Sequence, residues 1–137
     1  METITMSIAE QNAEIIRRGY EAFNQGDVQT LSTLFHENAS WHTPGHTFVG
    51  GSRTGLKEVL SQFGRYGSET HGSFRALLTD VAASEDGRVA AIHRNTGERN
   101  GKKLDAACII LFELSNGKVI SGREYFFDLY AWDAFWS

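Results

Sequence analysis

Apolar positions recur at helical spacing through the first half of the chain and alternate at strand spacing through the second. In SIAEQNAEIIRRGYEAFNQGD, Ile8, Ile15, Ile16, Tyr20 and Phe23 fall on one stripe of a helix. Ser7 followed three residues later by Glu10 forms a capping box, and Gly26 supplies the stop. Asp27 is placed to cap a second, shorter helix carrying Val28, Leu31, Leu34 and Phe35. A short strand, ASWHT, runs into the Pro44-Gly45 turn. After VGGSRTG, the positions Leu56, Val59, Leu60 and Phe63 predict a third amphipathic helix.

Four extended runs follow, SFRALLTDVAAS, RVAAIHRNTG, KKLDAACIILFEL and KVISGREYFF, joined by short glycine turns. Asn100-Gly101 and Asn116-Gly117 are strong hairpin signals between them. Helices first and a meander afterwards predict an α+β fold, a curved antiparallel sheet packed against three N-terminal helices. Such a sheet makes a cone, and an open cone is a natural small-molecule pocket. Strand alternation puts Ala91, His93 and Asn95 on one face, and Gly122, Glu124 and Phe126 on one face of the last strand. The aromatic tail DLYAWDAFWS predicts a last helical turn laid across the sheet or against a partner chain.

Bulk properties narrow the setting. The 137 residues suit one domain, residues 1–137, and neither the sequence nor its composition suggests a linker or repeat. A net charge of −4 with no clustered Lys or Arg argues against a nucleic-acid or anionic-membrane surface. The lone cysteine, Cys108, lies in an apolar run, which suits a buried thiol in a reducing cytoplasm. METITMSIAEQNAE carries acids and no apolar core, so no signal peptide is expected, and no apolar run is long enough to span a membrane.

With these elements in place, YEAFNQGDVQTLSTLFHENASWHTPG and LDAACIILFELSNGKVISGREYFFDL resemble the SnoaL-like branch of the nuclear transport factor 2-like superfamily. The resemblance runs from about Ala9 to Trp136. It implies the cystatin-like α+β roll, a homodimer packed sheet to sheet, and cofactor-free chemistry of the cyclase, isomerase, dehydratase or epoxide-hydrolase kind. It specifies the fold far better than the reaction. The positions where ketosteroid isomerases of this fold keep their Tyr and two Asp residues hold Gly19, Thr43 and Ile110, so a standard isomerase is excluded. Epoxide hydrolases of the fold match Glu124 at their last-strand catalytic aspartate and His42 at their water-holding Asn. Polyketide cyclases pair an Asp and a His, for which Asp105 and His93 are the counterparts, although parity puts Asp105 on the far face unless a bulge intervenes.

The residues themselves support a site on the cone's inner face. His93, mid-strand, is the expected proton shuttle, and Glu124 its orienting or water-activating carboxylate, since an inward carboxylate needs a partner. The bland readings are a hydrogen-bonded core histidine and a structural ion pair with Arg94 or Arg99. His42 is the expected electrophilic or water-holding group, and Asp105 the reserve acid/base. Tyr20, Trp41, Phe63, Asn95 and Phe126 are the expected lining for a small, hydrophobic, oxygenated ligand. His42 and His46 flank Pro44-Gly45, which breaks any helix that would join them on a metal, so no metal is expected. A non-catalytic ligand-binding or protein-interaction domain is the competing class. A carrier would leave His93 and Glu124 paired to structural groups, and an interaction domain would fill the cone with side chains.

Overall fold

The computed structural model describes residues 5–137. Residues 1–4, at the head of the segment read above as carrying no leader, lie outside the described residues. Three helices and two strands alternate before the meander begins: α1 (Ile8–Gln25), α2 (Val28–Leu34), β1 (Phe35–Thr43), β2 (Gly51–Thr54) and α3 (Leu56–Ser68). The expected caps form. Ser7 Oγ accepts from the Glu10 amide at 3.1 Å, and Asp27 accepts from Thr30 at 3.1 Å. Gly26 stops α1 in the left-handed region at φ 69°.

The meander is β3 (Arg75–Ala83), β4 (Arg88–Arg99), β5 (Lys102–Ser115) and β6 (Lys118–Phe126). Both Asn-Gly pairs take positive φ at both residues, 51° and 76° at Asn100-Gly101 and 51° and 77° at Asn116-Gly117. That twist matches the strands they join. The sheet order is β2-β1-β6-β5-β4-β3. Two features depart from the expected antiparallel meander. β2, from the turn-like GSRT, pairs antiparallel to β1, and β1 lies parallel to β6. No hairpin links β1 to β6, so nothing in the connection forces them to run oppositely.

The helices cover the concave face, where β5 buries alternate residues from Leu104 through Leu114. The tail is longer than one turn. It forms α4 (Leu129–Trp136), whose Trp132, Phe135 and Trp136 bury against Tyr66, Phe74 and Leu104 and close one end of the cone. Lys102 Nζ donates to the Ala134 and Ser137 carbonyls at 2.9 and 2.7 Å, holding the last turn to the β4–β5 hairpin. No described helix is long and apolar enough to cross a membrane.

One helix carries a composition its packing does not require. Gly64 lies in α3 with an ordinary backbone, and a Cβ built on it would meet nothing within 4 Å. Glycine inside a helix costs about 1 kcal/mol relative to alanine. Gly64→Ala is therefore expected to raise unfolding stability by about that amount, read as an increased urea midpoint at unchanged m.

Candidate functional site

The concave face holds a partly open cavity of about 60 Å³. Helix α1 brings Tyr20 and Phe23 to it, β1 brings Trp41, α3 brings Phe63 and Tyr66, and the long strands bring His93, Asn95 and Glu124. That volume holds several waters. The lining is aromatic and aliphatic apart from two polar clusters.

The first cluster is a chain across α1 and β4. His93 is 1% exposed, with Nδ1 2.7 Å from the Tyr20 hydroxyl and Nε2 2.9 Å from Asn95 Oδ1. Burial lowers His93 from 6.5 to about 4, so the ring is neutral at pH 7. Burial raises the Tyr20 phenol well above its usual range, with Cys108 and Glu124 adding to the effect. The phenol therefore donates to Nδ1, and Nε2–H donates to Asn95 Oδ1. Asn95 Nδ2 is buried with no partner among the described residues.

The second cluster joins α3, β1 and β6. Gln62 Nε2 donates to the Val49 carbonyl at 2.7 Å and to Thr43 Oγ1 at 3.4 Å. Thr43 lies 3.2 Å from the Tyr66 hydroxyl, which donates to Glu124 Oε2 at 3.3 Å. Among the described residues no cation pairs with Glu124: Arg94 bonds Asp105, and Arg99 lies beside Glu69. Burial pushes its carboxyl from 4.5 up to about 7, against the opposing pull of Thr43, Tyr66 and the nearby Trp41 indole. Burial, then the Glu124 charge, holds the Tyr66 phenol well above its usual range, which keeps it a donor. Gly122 makes this end possible, because a Cβ there would collide with the Trp41 ring. The Trp41 indole nitrogen itself completes no hydrogen bond.

The structure therefore unites some expected residues and separates others. His93, Glu124, Tyr20, Trp41, Phe63 and Asn95 line one cavity. His93 and Glu124 share the concave face, but they are two strands and two residues apart, roughly 12 Å between Cα atoms by sheet spacing. Each is held by other groups, so Glu124 does not orient His93. Asp105 points outward and bonds Arg94 Nε at 3.0 Å, because β4 and β5 pair without a bulge and parity holds. His42 is likewise on the outer face, 2.9 Å from Ser52 Oγ, since its neighbours Trp41 and Thr43 are the inward pair on β1. Phe126 turns from the cavity to stack on Trp132 at 4.2 Å. Cys108 is buried, and burial raises its thiol above the ordinary range, which suits the expected inert cysteine. Among the described residues, no three His, Cys, Asp or Glu side chains converge as metal ligands.

Gln62, Thr43 and Tyr66 were not expected in the site. The signal was present in α3: Gln62 and Tyr66 are spaced i,i+4 on the face that also carries Val59, and a buried glutamine needs partners.

Residues 16–122 match the SnoaL-like domain family. The chain belongs to that family. It is 60% identical to Bal32a, from a soil-derived mobile gene cassette, with a TM-score of 0.94 over 96% of this chain and 100% of that one. A protein of unknown function with a cystatin-like fold from Xanthomonas campestris is 28% identical, with a TM-score of 0.86 over 96% of this chain and 99% of that one. A putative polyketide cyclase from Xanthomonas campestris pv. campestris shares the fold at 22% identity, with a TM-score of 0.76 over 96% of this chain and 100% of that one.

Proposed function

We propose that this SnoaL-like domain is a cofactor-free acid/base enzyme acting on a small, hydrophobic, ring-bearing carbonyl compound. One observation carries the reading: Glu124, buried without a cation and brought to about 7, lines an apolar cavity. A carboxyl balanced between its two forms at neutral pH suits proton transfer at carbon. Glu124 takes a proton from the carbon beside the substrate carbonyl, and the C–H electron pair moves to form an enolate. The Asn95 amide, a lining group with no protein partner for its N–H donors among the described residues, supplies a donor for substrate oxygen. Glu124 then returns a proton to carbon. His93, neutral and engaged at both nitrogens, positions Asn95 and Tyr20 and is not itself the shuttle. The shared fold of a putative polyketide cyclase supports an oxygenated ring substrate.

We further propose that the protein is a cytoplasmic homodimer. Ile92, Ile109 and Tyr125 form a cross-strand row on the outer sheet face and are 41%, 43% and 52% exposed, which supports sheet-to-sheet pairing.

The test is deuterium wash-in. Acetophenone and 1-tetralone, incubated with the protein in D₂O at neutral pH, are expected to lose their α-proton NMR signals faster than in buffer alone. Binding without accelerated exchange would replace the enzyme with a carrier.

A further inference from the structure

A single proton decides what the polar end of the cavity offers a ligand. His93 and Asn95 lie two apart on β4, so both face inward, and α1 brings the Tyr20 ring to a centroid distance of 5.2 Å from His93. Nδ1 meets the Tyr20 hydroxyl at 2.7 Å, and Nε2 meets the Asn95 side chain at 2.9 Å. Both ring nitrogens thus have polar partners, which settles the orientation of the ring. What remains is which nitrogen holds the proton of the neutral imidazole, and that choice propagates along the chain.

With the proton on Nε2, every bond points one way. The Tyr20 hydroxyl donates to Nδ1, Nε2–H donates to Asn95 Oδ1, and the Asn95 N–H groups are left for the cavity. With the proton on Nδ1, every bond reverses. The hydroxyl accepts, the amide turns over to donate to Nε2, and Asn95 Oδ1 is left for the cavity instead. The reversed arrangement strands the Tyr20 hydroxyl proton, because among the described residues that buried hydroxyl has no partner but His93. A buried donor without an acceptor costs enough to favour the first arrangement about tenfold or more. At the other polar cluster the Tyr66 hydroxyl is committed to Glu124. Asn95, 2% exposed and with no partner for Nδ2 among the described residues, is the open end of the chain.

We propose that Tyr20 sets the hydrogen-bonding polarity of this cavity: through the His93 tautomer it holds Asn95 as a donor, so the cavity selects rings that carry an acceptor, such as a carbonyl oxygen, over rings whose polar group only donates. This rests on the carbonyl site proposed above and adds the residue that decides which ligands it admits. Tyr20 is a positioning residue, acting on the ligand through two other side chains. An acceptor ligand completes the chain as it stands. A donor-only ligand has to force the reversed arrangement and strand the phenol proton.

The probes are acetophenone, an acceptor, and indole, a donor with the same number of heavy atoms. Kd is read by NMR titration, the His93 tautomer by long-range proton–nitrogen correlation with His93→Gln as the assignment control, and α-exchange of acetophenone in D₂O. In the wild type at neutral pH the ring proton is expected on Nε2. Tyr20→Phe leaves no phenol proton to strand, so it is expected to tighten indole about tenfold and to keep acetophenone within about threefold. Indole bound to Tyr20→Phe is expected to move the ring proton to Nδ1. A packing defect would weaken both probes together and could not tighten one of them. A ring proton on Nδ1 in the wild type, an unchanged ratio of the two Kd values in Tyr20→Phe, or no binding of either probe to the wild type overturns the proposal. The shifted ratio without α-exchange would overturn the enzyme reading and leave the selection by Tyr20 standing. Exchange with an unchanged ratio would do the reverse.

Discussion

Replacing Glu124 with Gln is expected to slow α-proton exchange by two to four orders of magnitude, the range a positioned general base contributes. Gln keeps the shape, and its carbonyl still accepts from the Tyr66 hydroxyl that donates to Glu124 at 3.3 Å. What it loses is a group that takes a proton. The pH dependence separates this loss from a packing defect. As a base, Glu124 works ionised, so wild-type exchange should rise through about pH 7 and level above it. The residual exchange of Glu124→Gln should follow solvent hydroxide alone, without that inflection. His93→Gln is expected to keep the inflection at reduced rate, because His93 acts through Tyr20 and Asn95 rather than on the proton. A variant of Glu124 that exchanges at the wild-type rate with the same inflection would remove this residue from the mechanism.

Why was Glu124 legible in the sequence while its partners were not? A carboxylate at an inward position of an otherwise apolar strand is visible by alternation alone, and so is His93. Their neighbours depend on how strands are ordered, and β1 beside β6 comes from a parallel pairing that no hairpin signal announces. That pairing brings Thr43 and Trp41 to Glu124. It also makes His42 an outward residue, since the two inward positions on either side of it are taken. Asp105 shows the opposite case: parity alone placed it outside, and the resemblance to cyclases was the only argument for bringing it in. The three positions where the isomerase groups are missing, Gly19, Thr43 and Ile110, all sit at the site. Gly19 and Ile110 line the cavity, and Thr43 touches Tyr66. The cavity therefore lies where those positions fall, while the residues at them differ. The helices and hairpins were readable because caps and Asn-Gly turns act locally, whereas β2 rests on a pairing partner rather than on its own four residues.

The two buried titratable groups should also leave a signature in stability, through opposite slopes that nearly cancel in the wild type. Glu124 is raised from 4.5 to about 7 in the folded chain. Between those values the folded state holds a proton that the unfolded state has released, so stability falls as pH rises, by about 3 kcal/mol in all. His93 is lowered from 6.5 to about 4. Over that interval the unfolded state holds the extra proton, so stability rises with pH by a similar amount, about 3 kcal/mol. From about pH 4.5 to 6.5 these contributions offset each other. Substituting one group exposes the other. Glu124→Gln should gain about 3 kcal/mol relative to wild type at pH 8, and its stability should climb between pH 4 and 6.5 where the wild type stays nearly level. His93→Gln should instead lose stability steadily from pH 4.5 to 7. Urea unfolding at several pH values, compared at constant m, measures both slopes. If Glu124→Gln tracks the wild type across the whole range, its carboxyl is not held in the protonated form by the fold. The base assigned to it would then lack the balance at neutral pH on which the proposed chemistry depends.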